Sequence, residues 1–172
     1  LTSVDQFLIT VADTTPPLIT DAPDLSIEAN ATGGALVAFT APTATDFGQA
    51  IAVECTAFDP PVSVVSGDFF PVGVTAVTCT ATDASGNTST DSFNVTVADT
   101  TPPVLTVPDD ITAIFGATVT YEATATDIAD DALAVSCSPP SGTVFPLGNT
   151  TVNCTATDDA GLTDSGTFTV SV

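Results

Sequence analysis

The octapeptide TVADTTPP occurs twice in the chain, at Thr10–Pro17 and at Thr96–Pro103. A duplicated phrase sets a period, and a period narrows the folds open to a chain. Further pairs follow in the same order. TAVTCTATDASG at Thr75–Gly86 answers TTVNCTATDDAG at Thr150–Gly161, FFPVG at Phe69–Gly73 answers VFPLG at Val144–Gly148, and PTATD at Pro42–Asp46 answers ATATD at Ala123–Asp127. The sequence therefore reads as two copies of one unit, 13–98 and 99–172, the second shorter mainly in the loop between its cysteines. Residues 1–12 are left over. VDQFLITVADTTPP from Val4 aligns with TDSFNVTVADTTPP from Thr90, so 1–12 reads as an extra strand, the last of a preceding unit in a neighbouring subunit or an upstream repeat.

Within each copy the apolar residues alternate with period two. In TVTYEATATD, Val119, Tyr121, Ala123 and Ala125 point one way and Thr120, Glu122 and Thr124 the other. In TVNCTATD, Val152, Cys154 and Ala156 point inward, and Phe168, Val170 and Val172 do so in the closing GTFTVSV. Such alternation is the mark of half-buried strands. Composition agrees: the chain holds 33 Thr, while the helix formers Lys, Arg and Met are absent. Short strands divided by Gly, Pro and Asp turns, in units of this size, predict an all-β chain of two tandem antiparallel β-sandwiches. With no Met, the sequence reads as a processed product or an excerpt.

The phrases TPPVLTVPDDIT, TATD, VSCSPPSGTVFPLGNTTVNCTATDDAG and GTFTVSV resemble the hyalin repeat (HYR) family of immunoglobulin-like extracellular modules, and the resemblance spans nearly the whole chain. It implies immunoglobulin-like sandwiches, an extracellular or cell-surface location, and a role in adhesion or assembly without catalysis. It implies no particular partner.

Charge narrows the partners further. The chain carries 21 Asp and Glu and no Lys, Arg or His, a formal charge of −21. No side-chain salt bridge can form, so carboxylates must face water, be screened by salt or bind metal. Nucleic acid and anionic membrane surfaces both require Lys or Arg and are excluded. No apolar run is long enough to span a membrane. A solvated surface suited to high salt is the plainest reading of this charge. Acid–base catalysis finds no His or Lys, and no carboxylate pair stands out for glycosidase chemistry, so no enzyme is expected.

Cys55 and Cys79 lie in one repeat, Cys137 and Cys154 in the other, at matching positions. Repeat symmetry favours the pairings Cys55–Cys79 and Cys137–Cys154, each worth about 3 kcal/mol and suited to an oxidising compartment. A zinc site is the alternative, but it lacks His and close CxxC pairs. All five asparagines, Asn30, Asn87, Asn94, Asn149 and Asn153, open N-x-S/T triplets. A Thr-rich chain generates such triplets by chance, yet the outward strand positions of Asn94 and Asn153 suit N-glycosylation.

In an immunoglobulin-like sandwich the first strand starts at the pole that carries the B–C and F–G loops. That pole gathers Asp13, Asp46 and Asp83 in repeat one and Asp99, Asp127, Asp158 and Asp159 in repeat two, with Asp130 and Asp131 as further candidates. Asp often merely opens turns. Carboxylates converging without a cation repel, however, and structural Ca²⁺, a hard ion satisfied by six to eight oxygens, relieves that repulsion. Two consecutive prolines stiffen each TTPP joint.

Two functions fit. One is a subunit of a head-to-tail filament or surface assembly, in which the extra strand is donated to another copy through Phe7, Ile9 and Val11 on one face. The other is an excerpt of a long tandem-repeat adhesin or stalk. Expected partners are copies of the chain or adjacent repeats, with other cell-surface proteins or glycans as further binders. A weaker third reading is a calcium-dependent binding module within a secreted enzyme.

Overall fold

The computed structural model describes residues 7–131 and 133–172. Among the described residues there is no helix, and strands carry the fold. In chain order these are β1 (Leu18–Ile19), β2 (Leu25–Glu28), β3 (Gly34–Leu36), β4 (Ala44–Asp46), β5 (Gln49–Ile51) and β6 (Val53–Ala57). Then come β7 (Val62–Ser63), β8 (Phe69–Pro71), β9 (Gly73–Thr82), β10 (Thr88–Ala98), β11 (Val104–Thr106) and β12 (Ile111–Thr112). The last six are β13 (Thr118–Val119), β14 (Thr124–Thr126), β15 (Ala134–Ser138), β16 (Thr143–Val144), β17 (Asn149–Thr157) and β18 (Thr163–Ser171). The all-β architecture expected from the alternation is present among the described residues.

Contacts gather the chain into two compact units that do not follow the sequence repeats. Unit 1 holds the residues up to Leu25 with Val37–Asp68 and Val74–Val95; unit 2 holds Ser26–Leu36, Phe69–Gly73 and Thr96–Val172.

In unit 1, β4 pairs antiparallel with β1 on one side and β5 on the other. The β4–β5 hairpin turns on Phe47 and Gly48, both at positive φ (44° and 79°), the backbone signature of a tight two-residue turn. In a second sheet β6 lies between β7 and β9, and β10 lies beyond β9. Along β9 the alternation is strict: Val77, Cys79 and Ala81 are buried, and the threonines between them face outward or sit at the rim. Val37, Ala57, Phe93 and Val95 complete this core, with the Phe39 and Phe93 rings tilted together at 5.4 Å.

In unit 2, β17 pairs antiparallel with both β15 and β18, and β12 runs parallel to β18. Three small ladders flank this sheet: β11–β14, β13–β16 and β3–β8. The core is Val119, Phe145, Val152, Cys154, Phe168 and Val170. Tyr121 meets Phe168 edge-on at 4.8 Å and donates its hydroxyl to the Pro139 carbonyl, so its polar tip is satisfied while its ring packs.

One expectation needs refinement. The alternation from Val119 to Ala125 reads as a single strand, but the ladder breaks after Val119 and resumes at Thr124 with a different partner. In the gap, Ser141 substitutes for a neighbouring backbone. Its hydroxyl accepts the Tyr121 N–H at 2.9 Å and donates to the Tyr121 carbonyl at 2.8 Å. The N–H and carbonyl of Tyr121 are thus satisfied where the chain changes sheets.

Both disulfides form as repeat symmetry predicts, Cys55–Cys79 and Cys137–Cys154, and no cysteine is free for zinc. Each joins residues directly opposite on adjacent strands of one sheet. They staple neighbouring strands, whereas the antibody-type bridge crosses between sheets. The shorter loop spans 17 residues, so replacing Cys137 and Cys154 together by Ser is expected to remove about 3 kcal/mol of stability in urea. An unchanged unfolding midpoint would contradict this account.

Candidate cation sites at the aspartate poles

Each site grows from three short segments. The first is the joint: Asp13 Oδ1 accepts the Thr15 N–H at 3.0 Å, and Asp99 Oδ1 accepts the Thr101 N–H at 3.2 Å. These Asx-type turns fix one carboxylate just ahead of each proline pair. The second is the end of the strand paired with the one after the joint, Asp46 closing β4 beside β1 and Asp127 following β14 beside β11. The third is the turn after a long strand, where Asp83 follows β9 and Asp158 follows β17. Gly86 and Gly161 sit at φ of 87° and 84° there, and their N–H groups reach back to the Asp83 and Asp158 carbonyls.

In unit 1 the structure brings Asp13, Asp46 and Asp83 together, one carboxylate oxygen of each lying within 4.8 Å of the others, as the repeat alignment predicts. In unit 2 the trio is Asp99, Asp130 and Asp158. Asp127 instead closes its own turn on the Ala129 N–H at 2.7 Å. Asp159 is exposed and meets the site only through its N–H, which donates to Asp130 Oδ2 at 3.2 Å. Asp131 accepts from the Thr32 hydroxyl. The signal for Asp130 is the acidic pair that follows TDIA in repeat two, where repeat one has TDFGQA and no acid.

The electrostatics are those of crowded like charges. Burial, followed by Asp13 and Asp83, pushes the Asp46 carboxyl up; burial, followed by Asp127, Asp158 and Asp130, does the same to Asp99. Asp83 is held below the ordinary range, chiefly by the Asn87 side-chain amide. Asp158 is 7% exposed, and its Oδ2 is buried without a hydrogen-bond partner. A buried carboxylate oxygen with no donor is costly unless a cation meets it. The all-oxygen donor set fits Ca²⁺ better than zinc or copper.

The remaining sequence-predicted residues fall as follows. Phe7, Ile9 and Val11 belong to no strand and are 82%, 71% and 91% exposed. Their alignment partners in β10, Phe93, Val95 and Val97, are 2%, 1% and 1% exposed. The start of the extra strand, Val4–Gln6, lies outside the described residues. Asn30, Asn94, Asn149 and Asn153 are exposed. Asn87 is half-buried, its amide donating to the Asp13 carbonyl at 3.3 Å and to Asp83 Oδ2 at 2.7 Å. Glu28, which the sequence does not single out, accepts the Thr100 N–H, the Thr100 hydroxyl and the Thr101 hydroxyl at 2.7–2.9 Å, anchoring the second joint. These bonds hold its carboxyl below the ordinary value.

The HYR domain model matches residues 12–97 and 98–172. The chain belongs to the HYR domain family. Among curated HYR relatives it is 42% identical to Hyalin of Strongylocentrotus purpuratus over 95% of its length, and 41% identical to Hyalin of Lytechinus variegatus over 93%. It spans 14% and 31% of those two proteins. Extracellular cadherin domains 3–6 of Protocadherin Gamma B2 align with 93% of this chain and 52% of theirs, at 17% identity and a TM-score of 0.41. No helix among the described residues of the HYR pair is long and apolar enough to cross a membrane.

The opposed shifts predict a two-limbed pH profile in EDTA. Asp46 and Asp99 bind protons more readily folded than unfolded. Their contribution is therefore greatest at low pH and is lost as pH rises through their elevated values. Glu28 and Asp83 behave oppositely, contributing above their ordinary values and losing that contribution as pH falls through their lowered ones. Melting temperature is expected to rise on acidification from neutrality and to fall again below about pH 4. A melting temperature that does not rise on acidification from neutrality would refute the crowding.

Proposed function

We propose that this chain is a non-catalytic, extracellular structural protein whose HYR repeats assemble head to tail, with calcium at the aspartate poles and residues 1–12 donated as a strand to another copy. The carrying observation is the contrast between two nearly identical segments. Phe93, Val95 and Val97 are sealed in a core, whereas Phe7, Ile9 and Val11 stand bare. An apolar alternating strand with no sheet beside it matches the missing last strand of a HYR sandwich, and strand addition supplies both ladder bonds and a side-chain row. The repeats 13–98 and 99–172 serve as domains, and each DTTPP joint sets the step between successive ones. Self-copies are the main partners, with other surface proteins and glycans as further binders.

A second reading, a stretch of a long tandem-repeat adhesin or stalk, is favoured by the small share of the two Hyalin proteins that the chain spans. There the strand completes a repeat of the same polypeptide. Electron microscopy of the purified chain separates the two. Filaments that vanish on deletion of residues 1–12 are the expected result, and short monomeric rods indifferent to the deletion would favour the stalk.

Glycans on outward strand positions suit an extracellular protein. Peptide mapping is expected to find carbohydrate at Asn94 and Asn153, which project from β10 and β17. Asn87 is the exception, because attachment there would take an amide hydrogen from Asp83 or Asp13. Bare Asn94 and Asn153 in material from the native source would refute the glycan reading.

A further inference from the structure

The turns that hold Asp83 and Asp158 share a backbone frame but differ at their fifth residue, Asn87 in one and Leu162 in the other. Asp83 and Asp158 open the same five-residue turn: the Asp83 N–H donates to the Asn87 carbonyl at 3.0 Å and the Asp158 N–H to the Leu162 carbonyl at 3.1 Å. Oδ1 accepts the N–H of the fifth residue in both, Asn87 at 2.8 Å and Leu162 at 2.7 Å, and in unit 1 also that of Ser85 at 2.9 Å. Oδ2 differs between them. In unit 1 the Asn87 amide donates to it at 2.7 Å and also reaches the Asp13 carbonyl. In unit 2 the equivalent side chain is Leu162, which has no donor, and Asp158 Oδ2 is left buried and unpartnered.

We propose that the poles are functionally unequal, the Asp99–Asp130–Asp158 pole binding one calcium ion while Asn87 takes the cation's place among Asp13, Asp46 and Asp83. This rests on the calcium reading above and sharpens it to a stoichiometry. An amide nitrogen brings two hydrogens carrying partial positive charge, and in unit 1 both are directed at oxygens a cation would otherwise hold. An ion entering that pole has to displace both bonds. At the second pole nothing needs displacing, and the ion supplies the missing partner of Asp158 Oδ2. The pole filled by Asn87 needs no metal, whereas the Asp99 pole does.

Isothermal titration of the EDTA-stripped full chain with calcium, in enough salt to screen diffuse binding to its acidic surface, tests this. One equivalent is expected. Leu162→Asn should abolish the binding heat while preserving the fold by circular dichroism, and Asn87→Leu should add a second equivalent. Two equivalents of similar affinity in the unaltered chain would overturn the inequality while leaving the calcium reading standing. So would full binding by Leu162→Asn. No binding at all would remove the calcium reading itself and this inference with it. Should Leu162→Asn fail to fold, Asn87→Leu decides alone, since an unchanged single equivalent there contradicts the role given to Asn87.

Discussion

Everything in this molecule is arranged around carboxylates that have no basic side chain to meet. Their partners are backbone amides, hydroxyls and one asparagine. Asp24 accepts the Asn94 N–H at 2.7 Å, Asp110 the Thr169 N–H at 2.7 Å, Asp91 the Ala22 N–H at 2.8 Å and Asp164 the Leu105 N–H at 2.9 Å. Each of these reaches 59 to 70 residues along the chain. The acids therefore act as tacks that hold one segment's backbone to another's. A charged acceptor makes such bonds short and strong, about twice the strength of a neutral pair. Unlike surface ion pairs, they do not depend on ordering two long side chains.

The same device explains which acids were legible in the sequence. Asp24 and Asp110 precede matching strands and make matching bonds, a correspondence seen only once the strands are placed. Asp13, Asp46 and Asp83 were legible, since each sits at a strand end or turn whose place the alternation already marks. Repeat two departs where its loop after β14 is built differently. There Asp127 is consumed by its own turn and Asp130 takes its place in the trio. Which oxygen reaches a site depends on how a turn closes, and alternation does not record that. The break between Val119 and Thr124 was hidden for a related reason, since its cause is a serine hydroxyl twenty residues away in sequence.

Duplication did not preserve sameness. The repeats keep the buried pattern Val-x-Cys-x-Ala in β9 and β17 and the stapled cysteines, which are what the core needs. They diverge at the poles and joints, where Glu28 anchors one joint through threonines and a leucine replaces an asparagine in the turn. Core positions answer to packing, where a lost methyl group is felt directly. Pole positions answer to what must be held there, so two copies of one fold can hold different things. The interleaving of the contact units, which assigns Ser26–Leu36 and Phe69–Gly73 to unit 2, is likewise invisible in the repeat boundaries.

In the head-to-tail assembly proposed above, the in-sheet disulfides would have a mechanical consequence. Each one short-circuits the chain, bridging a sequence separation of 24 from Cys55 to Cys79 and of 17 from Cys137 to Cys154, so that neither loop lies on a pulled path. At full extension those segments correspond to roughly 80 Å and roughly 60 Å of hidden length. A stretched strand of such repeats gives out less slack per domain than its residue count suggests. It releases the remainder only under reducing conditions, so the redox state of the surroundings sets how far the material yields before it breaks.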